Sequence, residues 1–257
     1  MSSFSFDRAA DYYDATRSLP DDSMDLVADL LAAEISGTRA FEIGIGTGRI
    51  ALPLVERSID IYGIDISNEM VQKMLAKRFD RERLHVALAD ATRLPFASSS
   101  FDSILAVHVL HLVPSWHAVC DEAVRVGRGG GRFIVDNGGW GKDAWSAIQL
   151  HFAEITHLER PRPGAGSIEE IDDYMGSLGA TPRRLPTIST TRSSTYAELI
   201  HRIREGLYSF TWMVDEDERR RAADETAFWA RERYGDLDEP RPMEWDVAFT
   251  AYELPER

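Results

Sequence analysis

The amino-acid sequence predicts an α/β fold in which a mainly parallel, doubly wound sheet carries helices on both faces. Apolar strand-like runs alternate with helix-like stretches at least four times between residues 39 and 136, a pattern typical of parallel sheets. The first run ends in three glycines at alternate positions, and a second apolar run follows at once, which indicates a strand, a tight turn and a helix start. With 257 residues and 44% hydrophobic content, the chain can fill the core of one large domain.

The elements are predicted in order from their apolar periodicity and from their capping and breaking residues. The predicted strands are 39–43, 59–65, 84–90, 101–108, 132–136, 184–191 and 245–254, which make a seven-stranded sheet. The predicted helices are 21–36, a segment from the glycines to about 57, a segment beginning at 67, then 116–126, 140–159, 168–178, 195–204 and 216–234. The glycine-rich segment 127–131 is predicted as a turn.

Composition limits the partners and the compartment. The formal net charge of −14 disfavours a nucleic-acid partner. The single cysteine, Cys120, excludes an intrachain disulfide and a cysteine-based zinc site. No apolar run approaches the roughly 20 residues that span a bilayer, and residues 1–14 lack the apolar stretch of a secretory signal. We therefore expect a cytoplasmic protein without a membrane partner.

Polar side chains follow successive predicted strands. Glu42 precedes the glycines, and Asp65, Asp90, His108 and Asp136 stand at the ends of later strands. Ligands of open parallel sheets bind at the carboxyl ends of the strands. A carboxylate at Asp65 can accept both hydroxyls of a ribose, and one at Asp90 can accept from an adenine amino group. The pattern therefore predicts a nucleoside site.

The glycine turn argues against a dinucleotide. The dinucleotide pattern G-x-G-x-x-G needs a glycine where this chain has Arg49. The acidic Glu42 beside the turn would repel a pyrophosphate and would suit a cationic or amine-bearing ligand.

Several motifs together resemble the class I S-adenosylmethionine-dependent methyltransferases. Residues 41–48 are similar to their first motif, 64–65 to the ribose-binding motif and 89–91 to the adenine-binding one. The segment 94–112 resembles the small-molecule branch that includes quinone-biosynthesis methyltransferases. The resemblance covers roughly residues 6–137 and implies a Rossmann-like fold whose last strand is antiparallel.

The resemblance also implies roles for individual residues around S-adenosyl-L-methionine. The residues expected to contact this cofactor are Tyr13, Glu42, Gly44, Gly46, Gly48, Asp65, Ile66, Asp90, Ala91 and His108. The glycines and Glu42 would line the methionine end, Asp65 the ribose, and Ile66 the adenine face. Asp90 and Ala91 would contact the adenine edge, and Tyr13 would close over the cofactor. His108 would face the methionine and the acceptor.

The expected reaction is in-line displacement at the sulfonium methyl by a small-molecule acceptor. A general base is needed only if the acceptor keeps a proton, and His108 and His111 are the candidates. His111 has an alternative structural role, as a hydrogen-bonding residue at a loop-to-helix junction. Asp136 and Asn137 resemble part of the metal site of catechol-type methyltransferases. The partner aspartate after the fourth strand is missing, so no metal is predicted.

The resulting organisation is one methyltransferase domain over 1–257. It has N-terminal cap helices in 1–36, a cofactor-binding core in 37–137, and late strands with a helical substrate cap in 138–257. The aromatics Trp140, Trp145, Tyr208, Phe210 and Trp212 either pack in a core or form part of that cap. Two alternative functions stay open, a nicotinamide-dependent reductase and a non-catalytic S-adenosylmethionine-binding module. The protein is expected to be a monomer or homodimer.

Overall fold

The computed structural model describes residues 7–17, 19–137, 143–158 and 163–256, without the side chains of residues 15, 17, 21 and 245. These residues form two compact units. Of the described residues, the first unit comprises those up to 137 together with 163–188 and 246–256. The second comprises 143–158 and 189–245. The predicted glycine turn and the polar strand ends all belong to the first unit.

The described residues contain nine strands, seven of them in one sheet. The strands are β1 (Ala40–Ile43), β2 (Ile61–Asp65), β3 (Leu84–Leu88), β4 (Phe101–Ala106), β5 (Gly127–Asp136), β6 (Thr181–Arg184), β7 (Ile188–Ser194), β8 (Arg241–Val247) and β9 (Phe249–Glu253). The large sheet has the order β3-β2-β1-β4-β5-β9-β6, and β7 pairs with β8. β1 to β5 are mutually parallel, whereas β9 is antiparallel to β5 and β6. The mainly parallel seven-stranded sheet and its antiparallel last strand are confirmed.

The α-helices connect and flank these strands. They are α1 (Tyr13–Arg17), α2 (Asp21–Ile35), α3 (Ala51–Glu56), α4 (Asn68–Leu75), α5 (Trp116–Val126), α6 (Ala144–Ile155), α7 (Ile168–Ser177), α8 (Tyr196–Arg204) and α9 (Glu216–Tyr234). Side-chain caps explain where several begin. Ser67 accepts a hydrogen bond from the Met70 amide at the start of α4, and Thr195 forms a capping box with Glu198 at the start of α8.

Alternate residues of the central strands pack into two separate cores, one on each face of the sheet. Ile104 of β4 belongs to a cluster with Val119 and Ala123 of α5. Its neighbour Leu105 belongs to a cluster with Leu31 of α2 and residues of α3 and α4. Because successive side chains of a strand point to opposite faces, this division places helices on both faces of the sheet, as predicted.

The turn predicted at 127–131 is wrong, because β5 runs through it. Gly127 pairs with Phe101, and the register then shifts before Ser103 pairs with Arg132. A Cβ on Gly131 would lie 2.6 Å from the Asp102 carbonyl oxygen, so this strand approaches its neighbour too closely for a side chain. Glycines inside a strand mark bulges and close approaches as well as turns, and the sequence pattern cannot separate these cases.

The predicted strands 184–191 and 245–254 have wrong boundaries. The first joins the last residue of β6 to the start of β7, across a gap that contains Pro186. The second joins β8 to β9 across Ala248. Proline supplies no ladder hydrogen-bond donor, so Pro186 is the signal that separates β6 from β7.

The second unit has a helical core of its own. Trp145 and Phe152 of α6 pack with residues of α8 and with Tyr208 and Phe210. The indole of Trp212 donates to the Gly206 carbonyl at 2.8 Å. Trp145, Tyr208 and Phe210 are therefore core residues, whereas Trp140 lies outside the described residues. The cap function of this unit stays a prediction.

Candidate functional site

A cavity of about 660 Å³, open to solvent, lies in the first unit at the carboxyl ends of β1, β2 and β4. The order of the sheet reverses between β1 and β4, and doubly wound sheets bind ligands at such a point. Its lining residues are Tyr13, Gly44, Gly46, Ile64, Asp65, Ile66, Met70, Ala89, Ala91, Val107, His108, Val109, Leu112 and Val113. Seven residues predicted from the sequence are among them, namely Tyr13, Gly44, Gly46, Asp65, Ile66, Ala91 and His108.

The glycine turn brings backbone to the edge of this cavity. Gly44 and Gly46 have φ angles of +72° and +56°, which L-residues with side chains rarely adopt. The Gly44 and Ile45 amides both donate to the Ile64 carbonyl at 2.9 Å, which ties the turn to the end of β2. Gly48, at +79°, does not line the cavity. A Cβ there would lie 2.7 Å from Leu52 and 2.8 Å from Met74, so this glycine allows close packing.

Asp65 joins the turn to α4. Its Oδ2 accepts from the Gly46 amide and its Oδ1 from the Ser67 amide, both at 2.8 Å. Burial raises the pKa of this carboxyl, and the nearby Asp7 charge adds to the rise against the lowering effect of the backbone donors. The Ile66 amide is a third backbone donor to this carboxylate, which has about four lone-pair sites, so acceptor capacity remains for a ligand. Asp65 can therefore position the turn and bind hydroxyl groups at once.

Glu42 does not line the cavity but lies buried behind it. Its side chain is 2% exposed, and Oε2 has no hydrogen-bond partner among the described residues. Burial raises the pKa of Glu42 to about 8; Arg49 opposes this rise and Asp65 adds to it. Glu42 is consequently a neutral acid at pH 7 in the protein alone.

Asp90 also lies outside the lining, although Ala89 and Ala91 on either side belong to it. Its Oδ1 accepts from the Thr92 amide at 2.9 Å and from the Thr92 hydroxyl at 2.8 Å. These bonds are those of a local turn at the end of β3. Asp90 thus shapes the loop that presents the two alanines.

His108 follows β4 in a strained conformation at the other end of the cavity. Its φ is +58°, and its amide donates to Asp136 Oδ1 at 2.6 Å. Its Nδ1 lies 3.8 Å from Asp136 Oδ2, and the His111 ring stands nearly perpendicular to the His108 ring at 5.9 Å between centroids. The predicted base candidates are therefore neighbours, with only His108 lining the cavity.

The segment that carries Tyr13 is held to the glycine turn and to α4 by polar contacts. The Ser67 hydroxyl donates to Asp7 Oδ1 at 2.5 Å, and the Thr47 hydroxyl donates to Asp14 Oδ1 at 2.6 Å. Lys77 lies 2.7 Å from Asp14 Oδ2 and also donates to the Thr47 carbonyl. These contacts place Tyr13 in the lining of the cavity, and its closure over a cofactor stays a prediction.

Sequence reasoning missed the apolar part of the lining. Met70 lies one turn into α4, and its terminal methyl lies 3.4 Å from where a Gly46 Cβ would be. Val107, Val109, Leu112 and Val113 neighbour His108 in the chain and line the same cavity. Apolar residues after a strand are equally typical of core packing, so only their closeness to His108 could have indicated this role.

Residues 41–135 match the family model described as "Methyltransferase domain". A demethylmenaquinone methyltransferase of Beutenbergia cavernae is 35% identical over 135 residues, which are 51% of this chain and 55% of that protein. A phosphatidylethanolamine N-methyltransferase of Cereibacter sphaeroides is 34% identical over 104 residues, which are 39% and 51% of the two chains. The chain thus spans about half the length of these curated relatives.

The fold is also that of solved structures. The YcgJ protein of Bacillus subtilis superposes with a TM-score of 0.64 at 18% identity, over 93% of this chain and 100% of that one. Among the residues that the structure describes, no helix is long and apolar enough to cross a membrane.

Proposed function

Starting from a class I, Rossmann-like methyltransferase domain over residues 41–135, we propose that the protein transfers a methyl group from S-adenosyl-L-methionine to a small-molecule acceptor. The observation that carries this proposal is the cavity at the β1–β4 reversal, lined by the glycine turn, Asp65 and Ala91.

The residues that line one end of the cavity are suited to bind a nucleoside. The remaining acceptor capacity of Asp65 suits a ribose hydroxyl. Ile66, Ala89 and Ala91 offer apolar surface for a flat base, and the glycine turn leaves backbone accessible for the methionine part. Buried Glu42 behind the turn supports a cation there, because a sulfonium or ammonium charge favours ionisation of a carboxyl held neutral by burial.

The other end supports an apolar acceptor. Val107, Val109, Leu112 and Val113 neighbour His108 in the chain and line the cavity with it. With an acceptor bound, these apolar side chains exclude water and hold the acceptor in line with the methyl group. That alignment supplies most of the acceleration in a displacement of this kind. His108 is the candidate to take a proton from a hydroxyl or amine. The two curated relatives act, by their names, on demethylmenaquinone and on the nitrogen of phosphatidylethanolamine, so similarity to them leaves the acceptor atom open.

Calorimetric titration with S-adenosyl-L-methionine, and separately with NADH and NADPH, tests the proposal. We expect micromolar binding of the sulfonium cofactor alone, followed by turnover in a screen of phenols, quinones and amines. Binding of NADH or NADPH instead would favour the nicotinamide-dependent reductase. Cofactor affinity without turnover of any acceptor would favour a non-catalytic binding module.

A further inference from the structure

Two histidines and one carboxylate converge beside the acceptor end of the cavity. In the described part of the chain, His108, His111 and Asp136 each offer one ligand atom, and these atoms all lie within 4.8 Å of one another. His108 follows β4, and Asp136 is the last residue of β5, the neighbouring strand in the sheet. His111 lies in a short 3₁₀ turn after His108. Three elements therefore supply the three side chains.

The carboxylate is already oriented within this cluster. Asp136 is 12% exposed, and its Oδ1 accepts the His108 amide at 2.6 Å. That bond leaves Oδ2 directed towards His108 Nδ1, at 3.8 Å. Ligating carboxylates in proteins are commonly fixed by such an outer hydrogen bond. The same bond holds His108 at its positive φ, and strained residues of this kind are found at ligand sites.

The distance between His108 Nδ1 and Asp136 Oδ2 suits two ligands of one ion. Two atoms that are 3.8 Å apart and each about 2.1 Å from a metal subtend an angle of about 130°. A tetrahedral angle corresponds to about 3.4 Å, so a small side-chain rotation closes the pair. His111, whose ring plane stands at 82° to that of His108, offers the third ligand atom. Three protein ligands leave at least one coordination position of the ion for another group.

We propose that His108, His111 and Asp136 bind a divalent first-row transition-metal ion. Imidazole nitrogen together with one carboxylate oxygen suits zinc and ferrous iron, whereas magnesium and calcium prefer all-oxygen sites. His108 is 47% exposed and lines the cavity, so the open coordination positions are accessible from it. There the ion binds an oxygen of the acceptor, and this last step rests on the proposed methyl transfer. The proposal replaces the sequence-based expectation that no metal is bound, which considered Asp136 with Asn137 and not with the two histidines.

The test uses the full chain, freed of metal with a chelator and titrated with Co²⁺ alone under exclusion of air. We expect one equivalent to bind and to give the visible absorption of a Co²⁺ ion with nitrogen and oxygen ligands. His111→Ala removes a ligand and leaves the His108–Asp136 contact in place. Its affinity for Co²⁺ should fall by more than about a hundredfold, because loss of an outer hydrogen bond alone costs roughly 10–100-fold.

Two further variants sharpen the result. Asp136→Asn keeps an oxygen that can accept the His108 amide but lacks the negative charge, and it should also lose the visible absorption. His117→Ala removes an exposed histidine of α5 outside the cluster and should bind Co²⁺ like the unaltered protein. Absence of stoichiometric binding to the unaltered protein would overturn the proposal. Equal affinity of the His111 and His117 variants would overturn it as well.

Titration of the same preparations with S-adenosyl-L-methionine separates this proposal from the proposed function. Co²⁺ binding without cofactor binding would leave the metal site standing and refute the methyl transfer. Cofactor binding without Co²⁺ binding would refute the metal site and leave the methyl transfer standing, with His108 as a candidate base.

Discussion

Replacement of Glu42 by glutamine tests the electrostatics behind the glycine turn. Glu42 lies buried with Oε2 unpartnered among the described residues, and its pKa rises to about 8 from the usual 4.5, mainly through burial. The folded protein therefore holds a proton that the unfolded chain releases above about pH 4.5. Stability falls as pH rises through the window from about 4.5 to 8, because the native state binds more protons there.

The dependence of the free energy of unfolding on pH gives the size of this effect. One proton corresponds to about 1.4 kcal/mol per pH unit, so Glu42 makes the protein less stable at pH 7 than at pH 5 by about 2–3 kcal/mol. Glu42→Gln has the same shape and does not titrate. We expect the variant to gain about that amount relative to the unaltered protein between the two pH values, whatever constant difference the amide introduces.

Urea denaturation of both proteins at pH 5 and pH 7 measures this difference. Glu69→Gln, which removes one exposed negative charge from α4, controls for the change in net charge. Parallel pH dependences of the Glu42→Gln variant and the unaltered protein would refute the raised pKa. They would show that Glu42 is ionised in the folded protein, with a partner for its charge.

Two further predictions concern packing and capping around the site. Gly48→Ala should lower the free energy of unfolding, measured in urea, by about 1–3 kcal/mol more than Gly37→Ala does. Both glycines have positive φ, but only a Gly48 Cβ meets neighbouring atoms within 3 Å. Equal decreases for the two variants would mean that Leu52 and Met74 move aside freely. Ser67→Ala should lower thermal stability by about 1–2 kcal/mol, since it removes the cap of α4, and an unchanged melting temperature would contradict the role of that cap.

The sequence was sufficient to predict the order of the strands and the glycine turn that border the cavity. The strand runs that end at Ile43, Asp65 and Ala106 are buried and strongly apolar, so periodicity and length identify them. The glycines at alternate positions predict the turn, because its positive φ angles are adopted by few other residues. These features are local, and local features can be derived from sequence.

The features that were missed depend on contacts between distant segments. The bulge in β5 is fixed by the approach of Gly131 to Asp102, and the glycine pattern alone resembles a turn. The local turn at Asp90 places Ala89 and Ala91 in the cavity, while the carboxylate itself is outside the lining. The meeting of His111 with Asp136 depends on two strand ends lying side by side, which no spacing in the sequence reveals.

The measurement that tests the account most directly is S-adenosyl-L-methionine affinity in a matched pair of variants. Ala91 lines the cavity, whereas Ala97 is exposed in the same connection between β3 and β4. Ala91→Trp fills the proposed base-binding end. Overfilling a packed site costs about 1–3 kcal/mol, so the dissociation constant should rise by roughly 5- to 150-fold. Ala97→Trp should bind like the unaltered protein. Equal affinities, with both variants folded by circular dichroism, would place the cofactor elsewhere and contradict the account.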